Sequence, residues 1–189
     1  EIIPLRKGIS IMDRRNLDPF FIPRAVSVIG ASTEPQKVGH AIFANLLRNG
    51  FTGPVYPVNP KVDVLLNQKC YPSIKAIEDE IDLAVIILPS KFVPQVLTDC
   101  VQKGIKHIII ISAGFREIGP EGQKLEMQVA EIIKQHQVNV VGPNCLGVIN
   151  ALNGLNASFS LGSPLKGNLG LISQSGALCT ALIDWAREE

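Results

Sequence analysis

The sequence predicts an α/β protein with an open, Rossmann-like, doubly wound parallel sheet, and two observations lead to this prediction. Five short runs rich in β-branched residues are apolar at consecutive positions, as expected of strands buried on both faces of a parallel sheet. Segments with helical periodicity separate these runs, and a strand–helix–strand order requires right-handed crossovers in a parallel sheet. The predicted strands are residues 25–29, 55–58, 82–88, 106–111 and 138–141.

Three predicted helices lie between the strands, each with apolar residues repeated on one face. The first carries Val38, Ala41, Ile42 and Leu46, and its C-terminal signal is Asn49-Gly50. The second carries Val93, Val96, Leu97, Cys100 and Val101, and the third carries Leu125, Val129, Ile132 and Ile133.

The composition is that of a globular protein rather than a disordered one, with 46% hydrophobic and 19% charged residues among 189. A net charge of +1 gives no electrostatic reason to expect a nucleic acid or an anionic membrane as partner. The apolar runs, such as 108–111, are far shorter than the ~18–20 residues of a membrane span. The four cysteines at 70, 100, 145 and 179 form no CxxC pair, which favours free thiols and a cytoplasmic location over a zinc site or disulfides.

These patterns divide the chain into four parts. Residues 1–16 have no clear period and are expected to form an N-terminal arm, and residues 17–150 contain the doubly wound domain. Residues 151–168 are rich in Asn, Gly and Ser without a period, which predicts a linker. Residues 169–189 contain a predicted strand at 169–172 and a helix marked by Leu178 and Trp185. One strand and one helix cannot form a core, so this pair either packs on the first domain or begins a second.

The first loop, residues 30–39, follows the first strand, where an open α/β sheet binds its ligands. Gly30 permits a tight turn, and Gly39 permits a close approach of the backbone to a ligand or to the sheet. The N–H groups that open the helix, with the hydroxyls of Ser32 and Thr33, suit a phosphate. The loop matches neither GxGxxG nor the P-loop, so a turn without a ligand remains an alternative.

The second loop contains Asn59 and Lys61 directly after the second strand. An NAD-binding fold normally has Asp or Glu here to hold the ribose hydroxyls. A cation in place of the anion argues against NAD and suits a nucleotide with an extra ribose phosphate, as in coenzyme A (CoA) or NADP. The alternative is a solvated surface lysine.

Three further turns carry candidate residues. Pro89 and Ser90 follow the third strand and Ser112-Ala113-Gly114 follow the fourth, where an adenine or pantetheine could lie close to the backbone; an N-cap and a turn are the alternatives. After the fifth strand come Asn144 and Cys145, and a buried, unreactive Cys145 is favoured because no base accompanies it. The last turn, Ser173-Gln174-Ser175-Gly176, would suit an anion at a helix start.

Other chemistries have weak signals. The last turn is not a GxSxG nucleophile elbow, because Leu171 and Ala177 stand where the glycines belong, which argues against a hydrolase. The three histidines, His40, His107 and His136, have no carboxylate or metal partner by spacing, so no metal site is predicted.

Nine segments occur along residues 17–186 in this order: VSVIGAS, KVG, GPVYPVNPK, KCYPS, DLAVIILPSKFVPQV, ISAGFREIG, VGPNCLGVIN, LNASFS and GLISQSGAL. Together they resemble the ADP-forming acetyl-CoA (acyl-CoA) synthetases, a family related to the α subunit of succinyl-CoA synthetase. The resemblance implies a CoA-binding Rossmann-like domain through about residue 150, followed by the start of a flavodoxin-like ligase domain.

The resemblance also implies roles for the loop residues. The loop that holds the CoA diphosphate would contain Gly30, Ala31, Ser32, Val38 and Gly39. The nucleotide phosphates would face Lys61 beside Asn59, and the adenine and pantetheine path would be lined by Pro89, Ser90, Ser112, Ala113 and Gly114. The thiol end would lie near Asn144 and Cys145, and a phosphate on a catalytic histidine would be steadied by Ser173, Gln174, Ser175 and Gly176.

In this family the phosphorylated histidine lies beyond the position of Glu189, and none of the three histidines falls in its motif. The expectation is therefore a fragment without catalytic residues, which binds CoA or a CoA thioester but is inactive alone. ATP, ADP and Mg²⁺ would act only through missing regions, with an ATP-grasp domain or subunit as partner. Two alternatives stay open: a regulatory region of a lysine acetyltransferase with a GNAT domain, and a free-standing CoA- or NADP-binding module. The acyl group and the oligomeric state, homo- or hetero-, are not predicted.

Overall fold

The computed structural model describes residues 16–188, with side chains through residue 186, so the predicted arm lies almost wholly outside the described residues. The strands are β1 (Val26–Ile29), β2 (Val55–Val58), β3 (Val64–Leu65), β4 (Gln68–Lys69), β5 (Leu83–Ile86), β6 (His107–Ile110), β7 (Asn139–Val141), β8 (Gly147–Asn150) and β9 (Leu155–Ser158). The helices are α1 (Val38–Arg48), α2 (Val93–Gln102), α3 (Pro120–His136) and α4 (Gly176–Glu188). Within the described range, none of these helices has the length and apolar character needed to cross a membrane.

The central sheet has five parallel strands in the order β2-β1-β5-β6-β7. Each of these five strands falls inside its predicted range, and the prediction of a doubly wound parallel sheet is confirmed. The chain adds β2 on one side of β1 and β5 on the other, so the switch point lies between β1 and β5. The β3–β4 hairpin and the β8–β9 hairpin form two small antiparallel sheets.

Side chains of the central strands alternate between two apolar clusters, one on each face of the sheet. In β6, Ile108 and Ile110 pack in the cluster that includes Val93 and Leu97 of α2, and Ile109 packs in the cluster that includes Phe43 of α1. Because both faces are covered, consecutive strand residues are buried. This explains why the strands are apolar without alternation.

The β8–β9 hairpin covers the same face of the sheet as α1. Leu155 and Ala157 of β9 are fully buried in the cluster of α1. Asn45 of α1 donates from Nδ2 to the carbonyl oxygens of Ser158 and Ser160, both at 2.9 Å. The hairpin is thereby attached to the helix by packing and by side-chain hydrogen bonds.

Residues 155–158 therefore depart from the predicted linker. Their Asn and Ser residues, typical of loops, here make hydrogen bonds inside a buried hairpin. The Asn156 side chain is fully buried, donating from Nδ2 to the Gly162 carbonyl oxygen at 3.0 Å and accepting the Ser158 hydroxyl at 2.6 Å. Gly154 allows the turn to approach α1, since a Cβ there would lie 2.3 Å from the Asn49 carbonyl oxygen.

Of the strand and the helix predicted for residues 169–189, the structure contains only the helix among its described residues. The helix is confirmed as α4, but residues 169–172 form no strand in the described structure. Leu169 is 97% exposed and Ile172 is 99% exposed. The apolar run predicts a strand, but a strand needs a neighbour for its backbone hydrogen bonds, and none pairs with it among the described residues.

Candidate functional site

The first loop leaves β1 at the switch point through a backbone turn that requires glycine. Gly30 has φ +96°, and a Cβ there would lie 2.0 Å from the Ile87 carbonyl oxygen. Its N–H donates to the Val58 carbonyl oxygen at 3.0 Å. The end of β1 is therefore held against the ends of both β2 and β5.

Gly39 allows α1 to pack closely on this turn. A Cβ at Gly39 would lie 2.1 Å from the Gly30 carbonyl oxygen, so the contact is with the loop backbone. This is the close helix–strand packing served by the third glycine of dinucleotide-binding turns. Between the two glycines, Ala31 is buried in the core, and its carbonyl oxygen, not its side chain, takes part in the loop contacts.

The amino end of α1 presents polar groups at the carboxyl edge of the sheet. Ser32 is half-buried, and its Oγ accepts the Glu34 N–H at 3.1 Å, whereas Thr33 is exposed. His40 Nδ1 lies 2.9 Å from the Ser32 carbonyl oxygen, which ties the loop to the helix. No described side chain caps α1, which begins at the partly exposed Val38. His40 and Ala41 donate their N–H groups to the Lys37 carbonyl oxygen, so the N–H groups left to water or a ligand are those of Val38 and Gly39.

The second loop contributes a lysine without a carboxylate partner. Asn59 donates from Nδ2 to the Ala31 carbonyl oxygen at 2.8 Å, and its Oδ1 accepts the Lys61 N–H at 2.9 Å. The Lys61 side chain is exposed and makes no ion pair with a described carboxylate, whereas Lys37 pairs with Glu34 at 2.5 Å. An uncompensated positive charge thus lies beside the end of β2.

The third and fourth loops contact each other across the ends of β5 and β6. The Ser112 Oγ is buried, accepting the Leu88 N–H at 2.9 Å and donating to the Ile86 carbonyl oxygen at 3.4 Å. Gly114 has φ +100°, and a Cβ there would lie 2.7 Å from Ser90 Oγ. The Ser112 hydroxyl therefore holds strand ends together, while Pro89 and Ala113 are exposed.

Sequence reasoning missed a carboxylate in the fourth loop. Glu117 Oε1 accepts the Gly114 N–H at 2.7 Å, and this backbone hydrogen bond is the main cause that lowers the pKa of Glu117. The Gly114 N–H is thus already paired within the loop. An acidic residue three positions after a turn glycine is the signal that could have identified this contact.

The fifth loop contains Cys145 in a protected position. Burial raises the pKa of the Cys145 thiol to about 11, and its Sγ lies 3.4 Å from the Ile110 carbonyl oxygen. A thiol of this kind is protonated at neutral pH, which agrees with the favoured interpretation of an unreactive cysteine. The exposed Asn144 has φ +54°, and its N–H donates to the Ser112 carbonyl oxygen at 3.0 Å.

The last turn, residues 173–176, lies beside the fifth loop. A Cβ at Gly176 would lie 4.0 Å from the Leu146 Cβ. Ser175 Oγ accepts the Leu178 N–H at 3.3 Å, and Ser173 Oγ accepts the Ser175 N–H at 3.0 Å. Both hydroxyls thus organise the start of α4, and Gln174 is exposed.

The other two histidines lie near the amino ends of β6 and β7. The His107 ring is buried, with Nε2 2.7 Å from the Asn16 carbonyl oxygen and the Phe20 ring 5.2 Å away edge-on. The His136 carbonyl oxygen accepts a hydrogen bond from Lys106 Nζ at 3.1 Å. Among the described residues, no group of three or more His, Cys, Asp or Glu side chains is arranged to hold a metal ion.

Comparison with known proteins decides the family. Residues 24–151 match the family model of the CoA binding domain, and this match covers more than half of the chain. The chain belongs to the CoA-binding domain family. Its motif resemblance to ADP-forming acetyl-CoA synthetases is also confirmed.

Relatives of this CoA-binding domain are considerably longer than the chain. The alpha subunit of ADP-forming acetate–CoA ligase I from Pyrococcus furiosus is 48% identical over 174 residues, covering 90% of this chain and 38% of that relative. ADP-forming acetate–CoA ligase II from Archaeoglobus fulgidus is 47% identical over 176 residues, covering 93% of this chain and 26% of that relative. The chain therefore spans between 26% and 38% of the length of these two relatives.

A solved structure gives the same result for the fold. The dinucleotide-forming acetyl-coenzyme A synthetase 1 of Ca. Korarchaeum cryptofilum, in complex with phosphate and ADP, matches with a TM-score of 0.85 and 42% identity. The match covers 90% of this chain and 36% of that chain.

Proposed function

We propose that this chain is the CoA- or acyl-CoA-binding part of an ADP-forming acyl-CoA synthetase. The observation that carries the proposal is the second loop, where Asn59 stands in place of the ribose-binding acid and ties the backbone of an uncompensated Lys61 to the first loop. The complete enzyme would interconvert acyl-CoA, ADP and phosphate with the acid, CoA and ATP. The names of the relatives support this reaction.

The proposed ligand path runs along the carboxyl edge of the sheet. The free N–H groups at the start of α1, with Ser32 and Thr33, would hold the CoA diphosphate, and Lys61 would contact the extra ribose phosphate. The third and fourth loops would line the adenine and pantetheine. The fifth loop and the turn at 173–176 would lie near the thiol end, a grouping that the Leu146 contact supports.

We propose that residues 17–160 act as one unit, extending the predicted domain to include β9. The packing of Leu155 and Ala157 against α1 supports this boundary. Residues 169–189 would belong to a following ligase domain. The exposed apolar side chains of Leu169, Ile172 and Trp185 support this assignment.

The phosphoryl-transfer chemistry would belong to other regions of the protein. His107 is buried at the opposite end of the sheet, and His40 is half-buried with its Nδ1 2.9 Å from the Ser32 carbonyl oxygen, which supports placing the phosphorylated histidine elsewhere. ATP, ADP and Mg²⁺ would be handled by an ATP-grasp domain or subunit. The naming of the Pyrococcus furiosus relative as an alpha subunit supports a partner of this kind.

The acetyltransferase alternative has less support, since the relatives carry ligase and synthetase names. A cytoplasmic location is part of the proposal. It is supported by four free cysteines, of which Cys70 and Cys100 are buried without a disulfide.

Calorimetric titration of the chain with CoA, dephospho-CoA and NADPH tests the proposal. We expect saturable binding of CoA, with NADPH weaker by at least about tenfold, a difference of ~1.4 kcal/mol. Tight NADPH binding without CoA binding would overturn the proposal. It would instead identify an NADP-binding module.

A further inference from the structure

Asn59 links two loops of the proposed site through the two ends of one amide group. Its Nδ2 donates to the Ala31 carbonyl oxygen in the first loop, and its Oδ1 accepts the backbone N–H of Lys61 in the second loop. The bonds are 2.8 and 2.9 Å long, within the range of good hydrogen bonds. One side chain therefore links the two loops beyond the paired ends of β1 and β2.

The backbone of Asn59 is held as firmly as its side chain. Its N–H donates to the Tyr71 carbonyl oxygen at 2.9 Å, and its carbonyl oxygen accepts the Val62 N–H at 3.4 Å. The Gly30 N–H, one residue before Ala31, donates to the Val58 carbonyl oxygen at 3.0 Å. Asn59 is thus a fixed point directly after β2, and it contacts both neighbouring loops.

The link requires an amide at this position. A carboxylate of the same size would accept the Lys61 N–H, but it could not donate to the Ala31 carbonyl oxygen and would repel it. The Asp or Glu that holds the ribose of NAD at this place in other folds is therefore incompatible with the observed link.

We propose that Asn59 is a positioning residue that sets the distance between the phosphate-binding start of α1 and the Lys61 ammonium. It thereby gives the site its preference for a nucleotide that carries a ribose phosphate in addition to a diphosphate. The inference rests on the proposed function, and it assigns the selectivity to the link between the loops rather than to Lys61 alone.

The experiment measures the ratio of the dissociation constants for dephospho-CoA and CoA. We expect this ratio to be at least about ten in the unmodified chain and to fall about threefold or more in Asn59→Ala, because Lys61 is no longer held at the right distance. In a chain that already carries Lys61→Ala, adding Asn59→Ala should leave the ratio unchanged. If Asn59 acts through Lys61, Asn59→Ala changes the ratio only when Lys61 is present. An effect of Asn59 that is independent of Lys61 would change the ratio in both backgrounds.

Asn49→Ala is the matched control. Asn49 also makes a side-chain hydrogen bond to a backbone carbonyl oxygen, that of Asn45 at 2.7 Å, but it lies at the far end of α1. We expect its ratio to equal that of the unmodified chain. Asn59→Ser serves as a second variant if Asn59→Ala does not fold, because serine can accept the Lys61 N–H but is too short to reach Ala31.

Three results separate the inference from the proposed function. If Asn59→Ala weakens both ligands by the same factor, Asn59 is only structural and the inference is wrong. If the ratio falls further in the double variant, Asn59 acts independently of Lys61 and the inference is also wrong. If the unmodified chain binds no CoA, the proposed function itself fails.

Discussion

Two turns in this chain lead into helices with similar small, polar sequences but lie in very different surroundings. The turn at 30–39 enters α1 between packed strand ends, with Gly39 against the backbone of Gly30 and an Asn59 bond to the loop. At the turn of residues 173–176, Ser173 accepts an N–H of the turn and Ser175 accepts an N–H of the first turn of α4, and Leu146 lies 4.0 Å from a Cβ at Gly176.

Residue types alone therefore identify the start of a helix, but they do not show whether its N–H groups are held in place by neighbouring elements. Ser and Gly occur in both turns, and each turn leads into a helix. Only the first is held by neighbouring strands, so that its N–H groups keep their positions when a ligand arrives. The second would need further protein around it to reach the same precision.

The largest expected difference comes from the same substitution in the two turns. Gly39→Ala forces a Cβ to within 2.1 Å of a carbonyl oxygen, whereas Gly176→Ala meets nothing closer than 4.0 Å. We expect Gly39→Ala to lower the free energy of unfolding by about 3 kcal/mol and Gly176→Ala to change it by less than about 0.5 kcal/mol. Urea unfolding measures both. Equal effects would show that α1 can move away from the turn without cost.

An intermediate effect is expected from the charge of the second loop. Lys61→Ala should weaken CoA about tenfold, a loss of ~1.4 kcal/mol, and leave dephospho-CoA nearly unchanged, because only CoA carries the additional phosphate. The control is Lys134→Ala, an exposed lysine in the last turn of α3 with the same change in net charge. Equal weakening of CoA and dephospho-CoA would mean that Lys61 does not contact this phosphate.

The smallest expected effect is on stability at alkaline pH, and it concerns Cys145 in the fifth loop, which lies between the two turns in the sequence. Burial raises the pKa of Cys145 from an ordinary value of 9.0 to about 11. The unfolded thiol therefore loses its proton first, and stability falls as the pH rises from about 9 towards 11. We measure the fall in the free energy of unfolding between pH 7.5 and pH 9.5. We expect this fall to be smaller in Cys145→Ser than in the unmodified chain, with a difference of under about 1 kcal/mol. Urea unfolding under reducing conditions measures this; identical losses would show that the folded thiol ionises freely.

The central sheet was predictable because burial of its strands on both faces leaves a local pattern in the sequence. Runs such as 108–111 are apolar at every position, as expected of strands covered on both faces, and helical periodicity separates them. The end of α1 was likewise predictable, since Asn49 follows the last helical residue and Gly50 has φ +87°.

Other features depend on partners that are distant in sequence. Asn45 bonds to residues more than 110 positions away, and the bond from Asn59 to Ala31 spans 28 positions. Neither contact has a local pattern, so the strand β9 was not predicted, and neither was the link that Asn59 makes between two loops. The predicted strand at 169–172 is wrong for a different reason. The run is apolar, as a buried strand would be, but it pairs with no other strand in the described structure.

The β8–β9 hairpin also determines the route of the chain. A helix after β7 would return the backbone to the amino ends of the strands, whereas a hairpin reverses direction twice. Its turn lies at the amino ends, where Asn150 and Asn153 donate to the Phe21 carbonyl oxygen at 3.0 and 2.9 Å. β9 then runs back towards the opposite edge. The residues that follow β9 are therefore delivered to the carboxyl edge of the sheet, the same edge from which the first to fifth loops extend.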